Sequence, residues 1–247
     1  MKASPEAQLR LLELADIDAE LIRIEHRRRG LPEHAELARL EARDADLRDS
    51  IAALTAQNSD LKREQAKAEA DVEQVRSRID RDRQRLDSGM VNSPRELENL
   101  QSEVQSLHRR QSDLEEIVLD VMERFETAQR SLAQASSERE QLATELVTVT
   151  AARDAAVAEL DEQSGKAGDR RVEVAASIPA DLLGLYDKLK AQHGGVGAAA
   201  LRHRSCQGCN LTLNTVDLNA IRAAPEDEVL RCEECRRILV RTADSGL

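Results

Sequence analysis

From Leu37 onward, apolar residues recur in alternating steps of three and four, through Leu40, Leu47, Ile51, Leu54, Leu61, Ala68, Val72, Val75 and Ile79 to Leu86. A stripe with a mean period of 3.5 commits a chain to a coiled coil, because only helices wound around one another keep so narrow a seam covered. Asp44, Asn58, Gln65 and Asp82 interrupt the seam, and the remaining positions are dominated by Arg, Asp, Glu, Lys and Gln, as a solvated face requires. The pattern stops at Ser88-Gly89-Met90-Val91-Asn92-Ser93-Pro94. Gly89 ends a helix there, and Ser93 as N-cap, Pro94 at the first helical position and Glu96 three residues after the cap start another.

A second run follows at once, from Leu97, Leu100, Val104, Leu107 and Leu114 through Val121, Phe125, Ala128 and Ala135 to Leu142, Leu146, Val149, Ala156 and Leu160. If the chain reverses at residues 89–93, seam partners carry numbers that sum to about 182 or 183. Leu86 then meets Leu97, Val75 meets Leu107, Leu61 meets Val121, and Leu40 meets Leu142. The same register sets Asp44 against Arg139, an acid and a base in the seam at one level, and we expect that pair to fix the register. Two helices of about 56 and 70 residues make a rod of roughly 80–100 Å at 1.5 Å per residue. A coil between chains is the alternative; the short reversal favours a monomeric hairpin, because it delivers the partner helix at high effective concentration.

An amphipathic helix over residues 5–29 (Leu14, Ile17, Leu21, Ile24) precedes Gly30-Leu31-Pro32, where Pro32 should kink or break it. It can lie against the extension of the return helix around residues 150–168. The heptads fade through Gln163-Ser164-Gly165-Lys166-Ala167-Gly168, either a fraying point or a weak continuation of the helix. The expected domains are therefore a hairpin over residues 1–168 and a C-terminal module over 169–247, with a short helix at 179–192 and a ribbon at 203–242. Gly194-Gly195-Val196-Gly197 reads as a turn and lacks the lysine and hydroxyl residue of a phosphate loop.

The ribbon holds all four cysteines, as Cys206-Gln207-Gly208-Cys209 and Cys232-Glu233-Glu234-Cys235 with 22 residues between the pairs. Two such knuckles suit one tetrahedral zinc, each wrapping one side of the ion. A disulfide or redox pair is the competing reading, although disulfide frameworks belong to short, cysteine-dense secreted chains. Leu211–Leu213, Val229–Leu230 and Ile238–Val240 are strand candidates, and residues 214–222 a capped helical turn. A module of about 50 residues buries little, so the metal must supply much of its stability.

Taken together, these features predict a mainly α protein, a long antiparallel coiled-coil hairpin with a small C-terminal α+β zinc ribbon. The tyrosine-bearing helix, Cys-x-Gly-Cys, the 22-residue gap and Cys-Glu-Glu-Cys-Arg-Arg-Ile-Leu resemble the bacterial coiled-coil proteins with a C-terminal four-cysteine zinc ribbon, most specifically over residues 178–242. The resemblance implies that Cys206, Cys209, Cys232 and Cys235 bind one structural Zn2+. Members of that family, which has no assigned function, are described as candidates for nucleic-acid binding, and some act in flagellar gene regulation through protein and RNA partners. Where members often have glycine after the fourth cysteine, this chain has Arg236.

Charge narrows the function classes. The chain has 47 acidic against 36 basic side chains and a net charge of -11, so a basic footprint for nucleic acid can only be local. Aromatics are 1% of residues, Phe125 and Tyr186 alone, which removes base stacking from the ribbon. Four thiolates leave zinc no open position for water, and the five histidines are scattered, so we expect no enzyme. His203 is an alternative ligand only if a cysteine is not one. Arg202, Arg204, Arg236 and Arg237 could hold phosphates at the ribbon, and Arg83, Arg85, Met90 and Arg95 could meet a partner at the hairpin tip, or form only a solvated, paired helix face. The expectation is a cytoplasmic adaptor for protein partners, possible members of the transcription or translation machinery, without membrane contact. The alternative is a protein that binds DNA or RNA through the ribbon arginines.

Overall fold

The structure, a computed structural model, describes residues 1–89, 91 and 93–247. Among these residues five helices and four strands occur in the order α1 (Pro5–Arg29), α2 (Pro32–Asp87), α3 (Pro94–Ala176), α4 (Ala180–Gln192), β1 (Ala198–Arg202), β2 (Ser205–Cys206), α5 (Thr215–Ala223), β3 (Leu230–Arg231) and β4 (Ile238–Arg241). They form two compact units, residues 36–149 and residues 1–35 with 150–247.

In the first unit α2 and α3 pair antiparallel through the heptad seam. Leu40, Leu47, Ala135 and Leu142 share one buried cluster, and Leu61, Val121 and Ala128 another with Phe125 against it. Arg139 Nε donates to Asp44 Oδ1 at 2.9 Å, so the expected acid and base do meet. Arg48 joins the same carboxylate at 2.9 Å, and Arg139 stays 44% exposed, so the pair sits at the rim of the seam. The guanidinium reaches solvent along its apolar stem, which lowers the cost of an ion in a seam. Near the reversal the seam loosens: Leu97 is 38% exposed although its expected partner is Leu86, and one oxygen of the buried Asp82 carboxylate has no hydrogen-bond partner. Gly89 takes φ 67°, the left-handed turn that suits glycine. Met90 and Asn92 lie outside the described residues.

The second unit differs from the expected division at residue 168, because α1 and the end of α3 belong with the C-terminal module. Ser4 caps α1, its hydroxyl accepting from the Ala7 amide at 3.2 Å. Leu11, Leu14 and Ile17 of α1 pack with Ala167 and Val174 of α3, Leu182, Tyr186 and Leu189 of α4, and Ala198, Ile238 and Val240 of the sheet. This packing explains why α3 runs unbroken through Gly165 and Gly168 to Ala176: tertiary burial outweighs a glycine penalty of about 1 kcal/mol each.

The sheet has the order β2-β1-β4-β3. Strands β1 and β4 are parallel, with Ala198 opposite Ile238 and Leu201 opposite Arg241. Alternate residues face opposite layers, as the two-residue strand period requires. Ala198, Ile238 and Val240 enter the helical cluster, whereas Ala199, Leu201 and Leu239 pack with Cys206, Cys232, Leu213, Leu218 and Ile221. The strand at 198–202 was not expected, since alanine is a weak strand former; burial on both faces holds it there. Leu211–Leu213 contributes only a bridge between Ser205 and Thr212. Gly197 is buried where an added Cβ would stand 2.4 Å from the Tyr186 carbonyl, so only glycine lets β1 start this close to α4.

The N-terminus is stitched to the ribbon. The Ala3 amide donates to Asp227 O at 2.8 Å, the Val229 amide donates to Met1 O at 3.1 Å, and the buried Gln8 amide group donates to the Ala3 and Glu226 carbonyls. Lys2 pairs with Asp227 at 2.9 Å.

Candidate metal centre

The two knuckles repeat one backbone design. In the first, the Asn210 amide donates to Cys206 O at 2.8 Å and the Cys206 amide donates to Leu211 O at 3.0 Å. In the second, the Arg236 amide donates to Cys232 O at 2.8 Å and the Cys232 amide to Arg237 O at 3.0 Å. Each turn needs a residue with positive φ directly after its second cysteine, and Asn210 and Arg236 both stand at φ 60°. Asparagine tolerates that region; arginine does so against the clash of its Cβ with the following carbonyl. Glycine at the Arg236 position would remove that clash.

The folded knuckles bring the four sulfurs within 4.8 Å of one another. Cys206 and Cys235 stand 3.8 Å apart, and Cys209 and Cys232 3.9 Å. Thiolates at about 2.3 Å from a tetrahedral ion are separated by about 3.8 Å, so the donor set fits zinc, and these contacts are far too long for disulfides. Burial pushes the Cys206 thiol up to about 12 and also raises Cys232. Burial opposes ionisation of Cys235 too, but the Arg237 amide and side chain and the neighbouring thiols hold that group below its ordinary value. A divalent cation is the charge that such buried thiols need in order to ionise together.

The expected contact residues divide sharply. Arg237 is half-buried, and its guanidinium donates to the carbonyls of Val196, Gly208 and His193, all at 3.0 Å. It ties the first knuckle to the chain leaving α4 and is a scaffold residue, not a free phosphate ligand. An added Cβ at Gly208 would stand 3.0 Å from Arg237 Cδ, which shows how closely the two pack. Arg241 similarly donates to the Ile221, Ala224 and Pro225 carbonyls at the C-terminal end of α5. Arg236 is exposed and pairs with Glu233 at 3.1 Å. Arg202, His203 and Arg204 are exposed at the β1–β2 reversal, where His203 and Arg204 have φ 46° and 63°. At the hairpin end, Arg83 donates to His108 Nε2 at 2.8 Å and Arg85 stands 3.9 Å from Glu96, both across the hairpin, while Arg95 is exposed. Met90 lies outside the described residues.

Asp18 is a buried centre the sequence did not announce. Its side chain is fully buried, receives Arg171 Nε at 2.8 Å and Lys190 Nζ at 2.6 Å on Oδ1, and the Tyr186 hydroxyl at 2.6 Å on Oδ2. Burial alone would raise its pKa, yet the bonds from Arg171, Lys190 and Tyr186 hold it below the ordinary carboxylate value. The partners lie 153–172 positions away along the chain, and no local motif marks them.

Residues 14–194 match the family described as the CT398-like coiled coil hairpin domain, and residues 205–239 match the C4-type zinc ribbon domain. The chain is 39% identical over 241 residues to the uncharacterized protein Rv2229c of Mycobacterium tuberculosis, covering 98% of each. It is 28% identical over 221 residues to the uncharacterized protein ML1638 of Mycobacterium leprae, covering 90% of this chain and 94% of that one. A solved structure from Mycobacterium smegmatis aligns at TM-score 0.84 with 38% identity, over 98% of this chain and 100% of that one. The structure of CT398 from Chlamydia trachomatis aligns at TM-score 0.73 with 18% identity, over 96% and 98%, a likeness of fold.

Proposed function

Because the chain belongs to the CT398-like coiled coil hairpin family and ends in a C4-type zinc ribbon, we propose that it is a non-enzymatic adaptor for protein partners, with the transcription and translation machinery as candidate sources. Cys206, Cys209, Cys232 and Cys235 hold one structural zinc, which when bound neutralises the thiolates and ties the knuckles together. A closed four-thiolate shell leaves no coordination position for water or substrate.

The observation that favours protein over nucleic acid is the fate of the ribbon arginines. Arg237 is committed to backbone carbonyls and Arg236 is paired with Glu233, so two of the four arginines expected to hold phosphates are occupied within the chain. A pull-down compares the intact protein with one in which residues 70–112 are replaced by a short turn. Adaptor function through the hairpin predicts a partner lost on replacement; capture of no partner by either protein counts against the reading.

The second reading, phosphate contact by the ribbon, rests on Arg202 and Arg204, exposed side by side at the β1–β2 reversal. It predicts a mobility shift of RNA or DNA by the full chain at low salt that weakens in R202A/R204A. No shift at low salt removes this reading.

A further inference from the structure

A zinc centre of four thiolates carries net negative charge, because the thiolates outweigh one divalent cation. Its four ligands are unequally covered: Cys206 and Cys232 are buried, whereas Cys209 and Cys235 are half-buried. The half-buried pair is where a competing chelator meets the site, so whatever restrains those sulfurs governs how firmly the ion is kept. Glu233 and Glu234 add further negative charge in the knuckle that holds Cys235. A covered cation with several fixed donors is what such a site lacks within its own ligand set.

Three arginines flank the second knuckle, Arg231, Arg236 and Arg237. Arg236 is exposed and paired with Glu233, and Arg231 is exposed with its Nε on the Arg236 carbonyl. Arg237 alone of the three is half-buried. Its guanidinium has five N–H donors, and the carbonyls of Val196, Gly208 and His193 take three of them. Two remain, and the side chain also reaches the Cys235 sulfur. The Arg237 carbonyl meanwhile accepts from the Cys232 amide and so closes the second knuckle. One residue therefore joins the backbone of both knuckles, the chain leaving α4 and a ligand sulfur.

The first knuckle is shaped to admit this side chain. An added Cβ at Gly208 would stand 2.9 Å from Ala199 Cβ and 3.0 Å from Arg237 Cδ, so only a residue without one lets the stem pass. Lysine would keep the charge but lose the rigid planar fork. Arg241 makes the same kind of bond without the sulfur: it is also half-buried, and its guanidinium donates to the Ile221, Ala224 and Pro225 carbonyls, which belong to neither knuckle.

We infer that Arg237 is a positioning residue of the metal centre, which locks the two knuckles together and fixes the Cys235 sulfur so that zinc is retained against competing chelators. The inference deepens the zinc reading and rests on it. Residues that orient metal ligands in this way typically change metal affinity about 10–100-fold when replaced.

The test follows zinc passing from the full chain to an excess of a colorimetric chelator. R237M, which keeps an unbranched stem, should release zinc about tenfold faster than wild type. R237K, with the charge but not the fork, should fall between the two. R241M, which loses three carbonyl bonds in the same unit, should release zinc as wild type does. In Co2+-loaded protein the thiolate-to-metal charge-transfer band should shift in R237M and hold in R241M, because a residue that only supports the fold does not touch a ligand sulfur. Equal release from R237M and R241M, or an unchanged band in R237M, would overturn the inference. If R237M does not fold, R237K decides: faster release with a shifted band supports the role, and wild-type behaviour overturns it. Wild type that holds no zinc after dialysis would sink the zinc reading and this inference with it, whereas firm binding in every variant sinks the inference alone.

Discussion

Arg236 and Asp18 each hold a position where the fold leaves little choice. Arg236 occupies the left-handed conformation that completes the second knuckle, at a cost of about 1–3 kcal/mol for a residue with a Cβ. R236G removes the clash but adds unfolded-state entropy, so the zinc-loaded protein should gain up to about 1 kcal/mol in chemical denaturation. R236V, β-branched, should lose about 1–2 kcal/mol, and equal stability of the two variants would contradict the assigned strain. Asp18 holds α1, α3 and α4 together through three donors. Because Arg171 and Lys190 are 25% and 30% exposed, D18N should cost about 3 kcal/mol, the low end for breaking a buried ion pair. The folded carboxyl titrates below its ordinary value, so ionised Asp18 stabilises the fold at every pH above roughly 4 and less as pH drops through the depressed value. The stability gap between wild type and D18N should therefore stay level from pH 8 to about 4 and close below it. A gap that closes near neutrality would show that another group dominates.

At the scale of elements, the hairpin was legible because a heptad seam is local and repetitive: a register drawn from residue numbers placed Asp44 against Arg139, and the two stand 2.9 Å apart. The cysteine spacing was legible for the same reason, since each knuckle is built from neighbours. Strand β1 was not, because Ala198–Ala200 owe their conformation to parallel pairing with β4 and to cover on both faces. The roles of Arg237 and Arg241 were equally hidden, since an arginine that binds distant carbonyls reads in sequence like one that binds phosphate. For the register pair, D44R and R139D should each lower the hairpin's melting temperature, and the double reversal should restore part of the loss, with a coupling of about 0.5–1 kcal/mol for so exposed a pair. Additive losses would show that the apolar seam sets the register alone.

At the scale of the molecule, the unit that contains the ribbon begins at residue 1. Met1 and Ala3 bond to Val229 and Asp227, Gln8 closes on the Glu226 carbonyl, and α1 packs on the sheet face opposite the cysteines. The N-terminal segment should therefore depend on the metal although it contributes no ligand. A chelator strong enough to strip zinc should abolish amide exchange protection across β1, β3 and β4, and also at Ala3 and Val229, whose amides join the two ends of the chain. Residues 36–149 form a separate unit with its own seam, so most far-UV helical signal should remain. Exchange resolved by residue tells the cases apart. Protection at Ala3 that outlasts protection at Leu239 would separate the N-terminus from the ribbon's folding, and one cooperative loss of all helicity on chelation would mean that the metal supports the hairpin as well.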